Sequence, residues 1–160
     1  MKTIFFLAFM LLSNLAFAQK RVAAPELAPF AGTWEYTENN QTFRIELKLG
    51  TLAMSGVTVD VLEGRLIYSA NKKVVQNTLD SPKPNITNGI LADKSTSVNK
   101  VQFFFHDAVK GKNGDGFLEF VPGTNDKLLW TLNNREIVSS GETVDYGFSV
   151  PVKATLRKLK

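Results

Sequence analysis

The side chains with the most chemistry to offer are few. The single histidine, His106, stands next to Asp107, and the chain has no cysteine. A Ser-His-Asp arrangement needs its carboxylate to orient the ring from another chain position. Neighbours on one strand point to opposite faces, so His106 and Asp107 do not form a dyad. They read as a strand-end histidine facing solvent or one polar partner. With one histidine and no thiolate, a transition-metal site would need carboxylates, and no spaced cluster of them occurs. Lys110-Gly-Lys-Asn-Gly-Asp-Gly116 lacks the spacing of a phosphate-binding loop and the ligand set of a calcium loop. It reads as a glycine-rich hairpin loop. Asp60 and Glu63, with Arg65 nearby, are the one carboxylate pair that could serve as acid and base in glycoside hydrolysis. They differ in strand parity unless a bulge at Gly64 resets it, and a solvated charged face is the preferred reading. These residues imply no catalytic group, no metal and no cofactor, so a non-enzyme is expected.

What remains is apolar chemistry. Tyr36, Phe43, Phe103, Phe105, Phe117 and Trp130 can all face inward on a consistent parity. A barrel of about eight strands is either filled by its side chains or holds one small ligand, and both stay open here. If a ligand is held, Tyr36, Ile45, Val59, Phe103, Phe105 and Trp130 are the expected lining. The function that follows is a binding module for a small apolar or amphipathic ligand. The alternative is a structural or protein-interaction domain with a filled core that acts through its loops, such as Asn133 to Asp145.

The elements that must position these residues are short and β-like. Gly32-Thr-Trp-Glu-Tyr36 opens the first strand, about Thr33 to Thr37, and Glu38-Asn-Asn-Gln41 makes a hairpin connection. Phe43, Ile45, Leu47 and Leu49 alternate with polar residues, the mark of a strand with one buried face. Val57, Val59 and Val61 alternate next, but Leu66 and Tyr68 are apolar at even positions. A bulge at Gly64 is expected to explain that switch. Asp80-Ser-Pro-Lys-Pro-Asn85 cannot stay in a central sheet, and Ile86 to Ser97 reads as a loop with one short pairing at Ile90-Leu91. Val101 to Asp107, Phe117 to Val121, Lys127 to Leu132 and Phe148 to Leu159 complete eight or nine strands. No convincing helix is present. The pattern predicts an all-β antiparallel meander, a lipocalin-like barrel with a β-sandwich as the alternative.

The N-terminus predicts where the chain goes. Lys2 precedes the apolar run Ile4 to Leu12, and Leu15-Ala-Phe-Ala18 ends in a small-residue cleavage pattern. This is the form of a secretory signal peptide over residues 1–18, and the run is shorter than the roughly 20 apolar residues that span a bilayer. An extended leader over 19–29 and a single barrel domain over 30–160 are expected to follow. Export by the general secretory route, to the periplasm or the medium, is implied. Without a cysteine there is no acylation point for a lipoprotein and no disulfide framework. The formal net charge of +4 is carried by scattered Lys and Arg, not by a basic stripe, so nucleic acid is not an expected partner. A monomer without membrane insertion, with a small ligand or a protein as partner, is the expectation.

Phe30-Ala-Gly32-Thr-Trp34, with Arg157 in the final strand, resembles the lipocalin (calycin) signature. That resemblance implies a barrel floor built of Gly32, Trp34 and Arg157, with the arginine packed over the tryptophan. The chain as a whole is also similar to a family of uncharacterised secreted Bacteroidota proteins, a domain of unknown function. The similarity rests on the Gly-Thr-Trp start, the Thr-Phe-Arg-Ile-Glu-Leu strand at 42–47, Asn77-Thr-Leu79, Ile86-Thr-Asn-Gly-Ile90, Leu129-Trp130 and Phe148-Ser-Val-Pro151. It implies a secreted β fold and no particular activity.

Overall fold

A computed structural model describes residues 20–80, 89–134 and 147–160. In chain order the elements are β1 (Lys20–Val22), a 3-10 turn (Pro25–Phe30), β2 (Gly32–Glu38), β3 (Gln41–Met54), β4 (Val57–Ala70) and β5 (Lys73–Asn77). There follow β6 (Ile90–Ala92), β7 (Ser95–Ser97), β8 (Lys100–Asp107), β9 (Lys112–Phe120), β10 (Lys127–Asn134) and β11 (Lys153–Lys158). The wall runs β4-β3-β2-β11-β10-β9-β8-β6, and β6 pairs back onto β4 at Leu62–Gly64. This closes an eight-stranded antiparallel barrel, so the lipocalin-like expectation fits and the sandwich does not. Closure removes the outer edges of the wall except where β2 and β11 pair over only two residue pairs. β1, β5 and β7 are additions, with β1 parallel to β4.

Local chemistry accounts for the hairpins. Asn39 and Asn40 have φ of 50° and 60°, the left-handed pair that a two-residue hairpin turn requires and Asn tolerates. Between β3 and β4 the pairing is continuous from Gln41↔Ala70 to Met54↔Val57. The expected bulge at Gly64 is therefore absent. Leu47 pairs with Gly64 on the inward face, while Gly50 pairs with Val61 and Leu52 with Val59 on the outward face. The parity switch in the sequence is a change in which face of one straight ladder is apolar. Gly64 has a different duty. A Cβ there would lie 2.7 Å from Ile90 and 2.8 Å from Leu47, because the closing strand β6 packs directly over it. The register does shift where β4 meets β5, between Tyr68 and Ser69.

Two further segments differ from expectation. The glycine-rich run from Lys110 is mostly strand: β9 starts at Lys112, and only the turn before it is a loop. Gly116 lies in that strand because the Phe103 ring occupies the space its side chain would fill, with Phe103 Cζ 2.1 Å from an ideal Cβ. The segment read as an extended leader packs with the barrel from Lys20 onward. Lys20–Val22 pairs with Val57–Val59, and Leu27 and Phe30 are fully buried. The signal-peptide stretch, the Pro-rich loop after Ser81 and most of the Asn133–Asp145 loop lie outside the described residues.

Candidate ligand-binding site

The interior is occupied by aromatic side chains. Trp130 sits at its centre, stacked on Phe103 at 4.6 Å between ring centroids, with Phe43 and Phe105 edge-on at 5.1 and 6.0 Å. Its indole N–H donates to Pro151 O at 2.8 Å. Ile45, Phe103, Phe105 and Trp130 are buried at 0–1% exposure. These four of the six expected lining residues come together, as packing around Trp130. Large rings pressed against glycine positions are the filled form of a small barrel.

The other two lie elsewhere. Val59 is on the outward face of β4, opposite Leu52, and is only half-buried. Its parity is that of Val57 and Val61, which the missing bulge leaves outside the barrel. Tyr36 is half-buried at the β2–β11 side of the wall, and its hydroxyl donates to Glu38 Oε2 at 3.1 Å. Burial first, then the Glu38 carboxylate, raises the Tyr36 phenol above its usual value.

The floor is built from the 3-10 turn. Trp34 is fully buried and its indole N–H donates to Phe30 O at 2.8 Å. Phe120 packs against Phe30 and Trp34 at 4.8 and 6.0 Å between centroids. The cation over Trp34 is Lys158, with Nζ 5.0 Å from the ring centroid. Arg157 does not take that place. It pairs across the ladder with Glu35 on the outward face, because Ala154 and Leu156 put even-numbered positions of β11 inside. Gly32, with φ of 136°, sits under the Lys158 chain.

At the opposite end, Asp107 is fully buried and accepts from the backbone N–H groups of Val109, Lys110 and Ser149 and from the Ser149 hydroxyl. The Ser149 hydroxyl also lies 2.7 Å from the Gln76 amide oxygen, and among the described residues the buried Gln76 Nε2 has no hydrogen-bond partner. A hydroxyl has one proton to give. Given to the carboxylate, it leaves Ser149 Oγ facing the Gln76 oxygen as two acceptors, and turning the Gln76 amide over would let Nε2 donate to Ser149 Oγ. This cluster ties β8 to the start of the final segment. His106, on the other face, lies exposed with Nδ1 2.8 Å from Asn113 Oδ1. Asp60 and Glu63 do not meet. Asp60 holds Arg21 at 2.9 Å and the Ala24 N–H at 3.3 Å, while Glu63 shares the outward face with Glu46, Lys48 and Arg65. Among the described residues no group of three or more His, Asp or Glu side chains converges. No helix among them is long and apolar enough to cross a membrane.

The outer wall carries concave surface. A groove of about 460 Å³ runs between the β3–β4 hairpin and the β6–β8 wall, floored by Leu52, Met54, Val59, Val61, Leu91 and Phe104. Asp93, Lys94, Gln102 and Asp115 form its rim. An apolar floor with a few polar groups at its edge, at a volume within the roughly 300–1,000 Å³ of ligand sites, is the usual form of a small-molecule pocket. The signal for it was present in the sequence as the apolar run at 57, 59 and 61, which is out of phase with Leu62, Leu66 and Tyr68. A second cavity, of about 590 Å³, lies at the β2–β11 side.

The family described as of unknown function, DUF6705, matches residues 1–159. No curated protein and no solved structure matches the chain.

Proposed function

We propose, for a chain that belongs to this family of unknown function, that it is a non-catalytic exported binding module for a small apolar or amphipathic ligand, held on the outer face of the barrel. The barrel fold is compatible with such a role. The observation that carries the reading is the outward apolar face of the β3–β4 hairpin. Val59, Leu52 and Met54 lie on that face, outside the cluster packed around Trp130, with the fully buried Val61 beside them. They floor a groove instead. Burial of ligand surface there is worth about 25 cal/mol per Å², and the charged and amide groups at the rim orient a polar head. The filled interior favours the protein-interaction alternative equally, and the seam described below is where that alternative has a surface.

Export supports the same reading: Lys2, the apolar run Ile4 to Leu12 and Ala16-Phe-Ala18 make a secretory leader. The Gly32-Thr-Trp34 start and the stretches shared with secreted Bacteroidota proteins support that source. Amino-terminal sequencing of protein exported by a bacterial host is expected to begin at Gln19, and an intact Met1 would refute export by this route.

The binding test uses anilinonaphthalene sulfonate as probe. Fluorescence enhancement is expected for the wild type and a loss of about tenfold in affinity for Val59→Asp, equivalent to about 1.4 kcal/mol. Met54→Asp, at the exposed end of the groove, is expected to act in the same direction. Unchanged probe affinity in both folded variants would overturn the assignment of the groove.

A further inference from the structure

β2 and β11 share the barrel wall over only two residue pairs, Arg157↔Glu35 and Lys158↔Trp34. Leu159 N–H extends the contact by donating to Thr33 O at 2.8 Å. Past Glu35 the strands part, although β2 continues to Glu38 and β11 begins at Lys153. The alternation of main-chain groups says what this exposes. Val152 O accepts from Leu132 N–H and Lys158 N–H donates to Asp126 O, so even-numbered residues of the final strand bond toward β10. Odd-numbered residues bond toward β2, as Leu159 does. The main-chain groups of Lys153 and Thr155, and of Thr37 across the gap, therefore point into the seam, and no ladder pair covers them. In a fold whose closure removes strand edges, this is a local edge.

The cavity of about 590 Å³ lies at this seam. Its lining mixes outward residues with Tyr36 and Ala154, which have inward parity as partners of Phe43 and Trp130. The gap thus reaches into the wall. Its lining carries three cations, Lys127, Lys153 and Arg157, and two carboxylates, Glu35 and Glu38, the latter accepting the hydrogen bond of the Tyr36 hydroxyl. Lys127 and Arg157 are directly opposite across the β10–β11 ladder, and Lys153 lies further along the same face. Among the described residues none of the three is in an ion pair. The carboxylate placed to neutralise Arg157, Glu35, is turned to Arg44 at 2.6 Å. Like charges directly opposite destabilise a sheet, and a local rule broken without compensation marks a functional position.

We propose that the β2–β11 seam docks an extended acidic segment of a partner protein, which adds to the open edge of β11 as a strand. Its carboxylates meet Lys127, Lys153 and Arg157. An edge of alternating N–H and C=O groups is matched by another polypeptide backbone, the strand-addition mode of recognition. Side chains of an extended segment alternate between faces. Acidic residues at every second position therefore face the cations, and the small apolar residues between them face Tyr36 and Ala154. This site is separate from the β3–β4 groove, and either assignment can fail without the other.

The experiment is fluorescence anisotropy of the full exported chain with a labelled peptide alternating Glu and Val. Three comparisons accompany it: the same peptide N-methylated at alternate amides, an alternating Lys-Val peptide, and a single-stranded oligonucleotide. Binding is expected for the Glu-Val peptide alone, weakening as salt is raised. The double variant Lys153→Glu with Arg157→Glu, both exposed and outside the core, is expected to bind about tenfold or more weakly. No binding of the Glu-Val peptide, equal binding of its N-methylated form, or unchanged affinity in the double variant would each overturn strand addition of an acidic segment. Equal binding of the oligonucleotide would overturn it in favour of a general anion surface.

Discussion

Gly116→Ala tests whether the barrel is full. An added Cβ would lie 2.1 Å from Phe103 Cζ, 2.6 Å from its Cε2 and 2.6 Å from the Thr131 carbonyl oxygen. Non-bonded carbons sit comfortably at about 3.5–4.0 Å, so the ring must retreat by more than 1 Å, roughly. It has nowhere to go, since Phe103 is stacked on Trp130 at 4.6 Å and is 1% exposed. The carbonyl belongs to the β9–β10 ladder and is less free still. Overpacking costs about 1–3 kcal/mol in general, and a backbone contact added to a ring contact places this case near the top of that range. At about 2–4 °C per kcal/mol for a domain of this size, the melting temperature is expected to fall by roughly 6–12 °C. Urea unfolding followed by tryptophan fluorescence measures the change as a lower midpoint at an unchanged slope. On a Phe103→Leu background the added methyl meets less of a ring, so its cost is expected to shrink, with a coupling of about 0.5–3 kcal/mol. A Gly116→Ala change of less than about 0.5 kcal/mol, the ordinary range for an uncrowded surface position, would refute the reasoning. It would also return the interior to consideration as a ligand cavity.

The floor and the seam give two further predictions. Trp34→Phe keeps a ring in place but leaves the buried Phe30 carbonyl without its 2.8 Å donor, an expected loss of about 1–3 kcal/mol. Arg157→Ala is expected to stay within about 0.5 kcal/mol, and thermal unfolding of the two variants would reverse this order if Arg157 capped the tryptophan. Tyr36 is expected to ionise above the ordinary phenol value of 10.0, because burial and the Glu38 carboxylate disfavour its phenolate. A pKa raised by folding means a contribution to stability that is whole below the unfolded value and is lost as pH rises through the folded one. Ultraviolet titration of wild type and Tyr36→Phe checks this, and the absence of a late-titrating phenol in the wild type would contradict it.

Much of the barrel was legible because each level of the chain agreed with the next. The alternation at Phe43, Ile45 and Leu47 specifies a strand with one buried face, and all three are buried. Asn39-Asn40 specifies the turn, and Ile90-Leu91 specifies the short pairing that became the closing strand β6. The site was less legible because period-two alternation says that one face is apolar and not which face turns inward. Val59 has the spacing of a lining residue, yet the ladder to β3 holds it outside. Arg157 and Lys158 are adjacent basic residues, and only the register of β11 against β10 and β2 decides that the lysine covers Trp34. The glycines after Lys110 carry the composition of a loop, but Gly116 is a strand position whose space is taken by a ring from β8.

By itself, then, the sequence determined an all-β chain, its hairpin turns, the tryptophan of its floor and four of the six aromatics expected inside, Phe43, Phe103, Phe105 and Trp130. These depend on local periodicity and turn chemistry, which neighbouring residues supply. Of the other two aromatics, Phe117 lies on the outward face of β9 and Tyr36 at the seam. Only the tertiary structure decided that the ring closes through β6, that the core leaves its aromatics packed on one another, and that the concave surfaces are outside. Those outcomes depend on register and on the gap between strands far apart in the chain. A single residue of register moves every side chain to the other face, and nothing in the local pattern of β2 or β11 records that the two part after Glu35.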